Sequence, residues 1–264
     1  MSNLEIFCVT DKEVKLLKNT NYKPAAVGLK NLPKNYLRCD TNDNIFYKEK
    51  NYSELTFHYW FWKNLLEQYD DKTWIGFCQK RRFWKQSRSN NYNSNIQEQI
   101  LHSIPSEWFE YDSVICEPIQ LGTKLSKLIK RGWRNILKKP KLILDHDSIS
   151  IKEQFDLHHG YGVLEKAGKL LNDELRNDFL FYINDNNSFN PHIMFISKKE
   201  IINNYFSDQF EWLSKCEKIF GFDLKDYDQT RLYGFLAERF LPFWFKKKTK
   251  FIEWPWIFYE ENQK

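Results

Sequence analysis

The chain has 264 residues, 42% of them hydrophobic and 17% aromatic, and carries a net charge of +5. That length suits one large domain or two small ones with a sizeable core, and a mean hydropathy of −0.67 without any long apolar run excludes a membrane-spanning helix. The sequence pI near 8.7 is mildly basic, well short of a histone-like polycation, so the placement of the charge matters more than its sum.

In chain order, "LEIFCVT" predicts a first strand, followed by a short helix from Asp11. "AAVGL" predicts a second short strand. "NYSELTFHYWFWKNLLEQY" has an N-cap candidate in Ser53 and is apolar on nearly all sides, which predicts a buried helix with Trp60 and Trp62 in the core. "TWIGFC" at Thr73–Cys78 and "DSVIC" at Asp112–Cys116 read as strands. The polar run 85–95, "KQSRSNNYNSN", reads as a surface loop. After residue 150 helices recur, with "HIMFIS" as a strand among them. A long helix is expected in "DYDQTRLYGFLAERFLPFWF", and an extended tail in "KFIEWPWIFY", where Pro255 opposes a helix. Strands alternating with helices predict an α/β fold with a mostly parallel sheet flanked by helices.

Several chemistries lack their motifs. Five widely spaced cysteines (Cys8, Cys39, Cys78, Cys116, Cys216) form no Cys-x-x-Cys pair, which favours a reducing compartment over a disulfide scaffold or zinc ribbon. The opening "MSNLEIFCVTDKE" does not read as a signal peptide. Neither the dinucleotide-binding nor the phosphate-loop glycine motif occurs, and no G-x-S-x-G elbow does.

Three stretches carry charge in a telling place. "WIGFCQKRRFW" is a core-like strand that ends in Lys80, Arg81 and Arg82. Ligands of open α/β sheets bind beyond the carboxyl ends of the strands, where arginines can meet a phosphate bidentately. A solvated loop with arginines stacked on aromatics is the plainer account. "LILDHD" ends in Asp145 and Asp147, hard oxygen ligands suited to Mg²⁺ or Mn²⁺, although Ser150 and Glu153 just beyond have the spacing of a helix capping box. Residues 122–141 alternate Leu125, Leu128, Ile129, Trp133, Ile136 and Leu137 with Lys124, Lys127, Lys130, Arg131, Arg134, Lys138 and Lys139. A basic amphipathic helix of this kind suits an anionic membrane surface; it also describes a core-facing helix with a solvated back.

The blocks "EIFCVTDK", "NDNIFYKEKNYSELTFHYWFWKN", "WIGFCQKRRFW", "YDSVICEPI", "FNPHIMFISKKEI" and "DYDQTRLYGFLAERFL" follow one another over nearly the whole chain. This ordered set resembles a bacterial family of capsular-polysaccharide and O-antigen glycosyltransferases, long catalogued as a domain of unknown function and including galactofuranosyltransferases. The resemblance implies one GT-A-like domain over residues 1–264, with a nucleotide-sugar-binding half (1–120) and an acceptor-binding half (121–264). It implies a UDP-sugar donor, with galactofuranose as one candidate sugar, and a surface-polysaccharide or lipid-linked acceptor. Thr10, Asn44, Glu54, Lys80, Arg81, Arg82 and Arg231 form the implied donor-binding set, and His158 and His159 the acceptor contacts. Many GT-A enzymes hold a metal on the donor diphosphate at the position of this cationic edge. Fixed cations would do that electrostatic work here, so no metal cofactor is expected, with Mg or Mn through Asp145 and Asp147 as the alternative. Where the family commonly has His-Tyr, this chain has Gln79 and Lys80, and the segment before "IKEQFDLHHG" is longer than usual.

Glu238 is the expected catalytic base, on a helix face shared with Arg231 seven residues earlier, which would orient the carboxylate or touch substrate. Asp228 is the reserve base and an N-cap candidate. The expected location is cytoplasmic, peripheral at the inner face of the membrane, with no nucleic acid as partner. A reading from another class, a nucleic-acid-binding protein using the basic helix and exposed aromatics, lacks any RNA-recognition motif.

The membrane expectation has a direct check. Each cation near an anionic bilayer adds about 1 kcal/mol, so the protein is expected to co-sediment with anionic vesicles at low salt and Trp133→Ala to weaken that binding. Protein left in the supernatant refutes the docking.

Overall fold

A computed structural model describes residues 3–89, 95–121, 149–225 and 227–260. The chain divides into two compact units, the first from Met1–Glu117, His192–Asp208 and Trp244–Lys264, the second from Pro118–Pro191 and Gln209–Phe243.

The first unit is a sheet. Its strands are β1 (Leu4–Thr10), β2 (Lys23–Ala26), β3 (Leu37–Arg38), β4 (Trp74–Gln79), β5 (Arg82–Trp84), β6 (Ser113–Cys116), β9 (Phe195–Ser197), β10 (Phe251–Trp254) and β11 (Trp256–Phe258); β7 (Ile119–Gln120) and β8 (Ser188–Phe189) form a separate antiparallel pair in the second unit. The main path runs β10-β6-β9-β4-β1-β2-β3, with β5 on β4 and β11 on β5. Strands β1, β2, β3 and β4 pair in parallel and β10 pairs in parallel with β6, while β9 lies antiparallel between β4 and β6. The expected mixed α/β class with a mostly parallel sheet is what the chain adopts.

Alternation along the strands fills two cores. On one face Phe7, Phe77 and Phe195 meet Phe57, Phe61 and Phe206, with Phe7 and Phe61 centred 4.9 Å apart and Phe77 and Phe195 5.1 Å apart. On the other, Ile6, Cys8, Trp74, Cys78, Trp84, Trp108, Cys116, Ile196 and Trp254 pack together. All five cysteines are buried and free. At Gly76 an added Cβ would sit 2.6 Å from Ile196 Cγ1, so β4 and β9 pack there at a separation no larger residue allows.

The second unit is largely helical: Ile151–His159, Val163–Gly168, Asp173–Asp185, and parts of Lys199–Phe220 and Leu232–Lys248. Phe179, Trp212, Phe240 and Phe243 form its aromatic core, and Trp212 Nε1 donates to Ala167 O at 2.8 Å. The capping box is present, with Glu153 N donating to Ser150 Oγ at 3.2 Å and Ser150 N donating to Glu153 Oε2 at 3.3 Å. Among the described residues no helix is long and apolar enough to cross a membrane.

Three local expectations need correction. Ser53 is not an N-cap: it has φ +49° and ends a short helix at Tyr52, and the next helix is Leu55–Asn64. Trp62 is half-buried; Lys63 Nζ lies 3.4 Å from its ring centre, and its Nε1 donates to Asn203 Oδ1 at 2.7 Å. The late helix breaks at Arg231 into Tyr227–Thr230 and Leu232–Lys248, the latter with Pro242 inside it. The tail is extended as expected, as two strands, β10 and β11, on either side of Pro255.

His58 lies inside the aromatic face, 4.5 Å from the Phe77 ring and 5.7 Å from that of Phe206, and neither ring nitrogen has a hydrogen-bond partner among the described residues. Burial pushes its pKa down from the ordinary 6.5 to about 3. The neutral ring is therefore favoured in the folded state, and the unfolded chain binds more protons below pH 6.5. The stability this group allows is complete above pH 6.5 and is lost as pH falls from there towards 3. Between pH 7.5 and pH 5 the His58 contribution falls by about 2 kcal/mol. Urea titrations of His58→Leu are expected to show that part of the pH dependence removed and higher stability at pH 7. A variant as acid-sensitive as the parent overturns this account.

Candidate active-site edge

The strand that runs into cations turns back on itself. Strand β4 ends at Gln79, Lys80 and Arg81 form a two-residue turn, and Arg82 opens β5, paired antiparallel with Gln79. Phe83 and Trp84 then return to the core. The charges sit where the buried register stops, at the carboxyl edge of the parallel strands.

Each cation there has a partner. Lys80 Nζ pairs with Asp11, the residue after β1, and Lys30 Nζ lies 4.0 Å from the same carboxylate. Burial works to raise the Asp11 pKa, but the hydrogen bond and charge of Lys80 outweigh it and hold the carboxyl below its ordinary value. Gly28 beside it has φ +79°, a conformation L side chains rarely adopt, while an added Cβ would make only ordinary contact, at 3.5 Å, with Asp11 Cβ and Glu49 Oε1. Gln79 bridges two charged groups: its Nε2 donates to Glu54 Oε1 at 3.1 Å, and its Oε1 accepts from Arg82 Nη1 at 3.4 Å. Arg81 Nη1 lies 3.2 Å from Glu260 Oε1. Both arginines share one aromatic surface, their guanidinium carbons 5.7 Å and 5.9 Å from the Phe258 ring centre.

Thr10 and Asn44 are engaged in local structure. The buried Thr10 hydroxyl donates to Lys12 O at 2.6 Å and accepts from Lys12 N at 3.1 Å, while its carbonyl accepts from Val27 N. Asn44 Oδ1 accepts from Phe46 N at 3.0 Å, and its Nδ2 donates to Asn42 O at 2.9 Å.

The remaining described candidates, His158, His159, Asp228, Arg231 and Glu238, lie in the second unit. His159 is buried, stacked on Phe235 at 3.9 Å, with Nδ1 3.1 Å from Asp228 O. Burial chiefly, with the nearby Arg239 charge, lowers its pKa to about 3, so a neutral ring suits a packing role. Asp228 lies in the first turn of a four-residue helix. Arg231 stands between the two helices at the start of the second: its carbonyl accepts the i→i+4 hydrogen bond from Phe235 N at 3.1 Å, and its guanidinium carbon lies 5.8 Å from the Phe235 ring centre. Glu238 Oε2 accepts from the buried Arg239 Nη1 at 2.7 Å. Arg239 in turn donates to Gln154 Oε1 at 3.0 Å and lies 3.9 Å from the Phe189 ring centre. The pairing of Glu238 with Arg239 is the plainer role open to that carboxylate from sequence, since the two are neighbours; Asp11, Phe258 and Glu260 were not among the expected site residues, and only Asp11, next to a strand end, had a signal. Asp145, Asp147 and the basic segment 122–141 lie outside the described residues. Among the described residues no three His, Cys, Asp or Glu side chains gather to hold a metal ion, and the Asp11 carboxylate faces a lysine instead.

The chain's mixed α/β fold superposes on the apo structure of the WbbM bifunctional glycosyltransferase with a TM-score of 0.72 at 19% identity, covering 98% of this chain and 46% of that one. This chain therefore spans about half the length of that structure. Residues 5–249 match the family described as Domain of unknown function (DUF4422), and the chain belongs to that family. No curated protein matches it.

Arg239 is buried, so its partners lose their compensation when it is removed. Arg239→Ala is expected to cost about 3–5 kcal/mol in denaturant unfolding, whereas Glu238→Gln, which keeps an acceptor, is expected to cost about 1 kcal/mol. Equal small losses from both would show that the pair is not structural.

Proposed function

We propose that the chain transfers a sugar from a UDP-sugar donor to a surface-polysaccharide or lipid-linked glycan, with galactofuranose the first sugar to test. The observation that carries this reading is the cationic turn Lys80–Arg81–Arg82 at the carboxyl edge of the parallel strands, on a fold shared with a glycosyltransferase. In this reading the arginines bind the donor diphosphate and offset the charge that grows on it as the bond to the anomeric carbon breaks. The acceptor oxygen forms the new bond to that carbon, its proton passes to the Glu238 carboxylate, and UDP leaves. Lys80, held by Asp11, contributes positive charge beside the arginines. The reading needs no metal, places the enzyme at the inner face of the membrane, and assigns membrane docking to the basic segment 122–141.

The test is donor binding followed by turnover. UDP is expected to raise the melting temperature without added Mn²⁺, and Arg82→Ala to weaken UDP binding about tenfold or more, since charge-assisted hydrogen bonds contribute roughly 1.5–3 kcal/mol each. Activity is expected to survive EDTA. Glu238→Gln is expected to bind donor normally and lose about 10²–10⁴-fold in rate. Complete loss in EDTA, restored by Mn²⁺, would move the diphosphate role to Asp145 and Asp147. Normal turnover in Glu238→Gln would remove that residue from the chemistry.

A further inference from the structure

The final strand brings an acid to the cationic turn. β11 pairs antiparallel with β5, placing Phe258 opposite Arg82. One residue on, Tyr259 N donates to Arg81 O at 3.0 Å. The next side chain, Glu260, then meets Arg81 across 179 positions of sequence. The carboxylate is therefore delivered by a paired strand and a backbone hydrogen bond, in a register that fixes where it arrives.

The pairing is a loose one. Nη1 of Arg81 lies 3.2 Å from Glu260 Oε1, longer than the 2.7–2.9 Å or so of a strong charge-assisted bond. The buried Nε of Arg81 has no hydrogen-bond partner among the described residues. A guanidinium can offer two parallel donors to one anion, and this one offers a single long bond. Its plane is meanwhile supported by Phe258. A phosphate, with more acceptor oxygens and more charge than a carboxylate, would engage Nη1 and Nε together.

We propose that Glu260 occupies an anion seat at Arg81 that a diphosphate takes over, so that the C-terminal strand both builds the seat, through Phe258, and holds a weak competitor in it. This rests on the reading that the cationic turn binds the donor's diphosphate. It adds that donor binding displaces an internal carboxylate, and that the affinity of the site is set by the difference between the two anions. The diphosphate is that of a nucleotide or that of a lipid-linked glycan.

Titration calorimetry with UDP, inorganic pyrophosphate and uridine separates the cases, on the full chain and on Glu260→Gln, Arg81→Ala and the double variant. Glu260→Gln is expected to bind UDP and pyrophosphate about three- to tenfold more tightly, to leave uridine unchanged, and to lose its gain in the Arg81→Ala background. A gain that persists without Arg81 means only through-space repulsion and overturns the proposal. So does unchanged or weaker binding by Glu260→Gln when the parent binds UDP and Arg81→Ala does not. A gain with pyrophosphate but none with UDP keeps the seat and moves its ligand to another diphosphate, refuting the donor assignment alone. If neither anion binds the parent or Glu260→Gln, the seat and the donor reading both fall.

Discussion

The first unit depends on one pairing, that of β1 with β4, in parallel register from Leu4 opposite Trp74 to Val9 opposite Gln79. Both strands have neighbours on their other sides, β2 and β9, and both of their faces are covered by large side chains. Within that register the one charged side chain is Glu5, half-buried near the start of β1 and paired with Lys23 of β2 at 2.8 Å; a charge in the buried stretch beyond it would have to leave water without a partner, at a cost of several kcal/mol or more. The cations gather instead where the buried register runs out, and the carboxyl ends of β1 and β4 run out together. The chemistry of the edge follows from the burial of the sheet.

At that edge the protein does not leave its cations bare. Lys80 faces Asp11, Arg81 faces Glu260, and Arg82 is held through the carboxamide of Gln79. Such partners reduce mutual repulsion and keep long side chains in defined places, which lowers the ordering a ligand must impose. The pair in the second unit differs. Arg239 is enclosed by Glu238, Gln154 and Phe189, an environment in which removing one partner costs more than the pair itself contributes.

Much of the fold was legible because burial patterns are local. The runs "LEIFCVT", "WIGFC" and "SVIC" are strands within a residue or so of their expected bounds, and the capping box at Ser150 and Glu153 was readable from spacing alone. The helix breaks were harder: Ser53 adopts φ +49° and Arg231 interrupts an otherwise continuous apolar pattern, and neither is a glycine or proline that would announce it. The candidate edge was half legible. A strand ending in three cations is visible in sequence, whereas the acids that face them come from other strands and, for Glu260, from almost the far end of the chain. Periodicity carries no information about which distant residue arrives opposite a given one.

The discontinuity of the first unit sets an order of assembly. Strand β6, made early, reaches β4 only through β9, which is synthesised some eighty residues later, and β5 keeps an open edge until β11 follows near residue 256. Until β9 and β11 are in place, β4 and β5 keep unpaired backbone groups at their outer edges. Closing such long loops is entropically slow, and an exposed edge strand is a template for pairing with another chain. The same topology that sets the cationic turn beside β11 thus makes the folding sheet dependent on β9 and β11 to become safe from its neighbours.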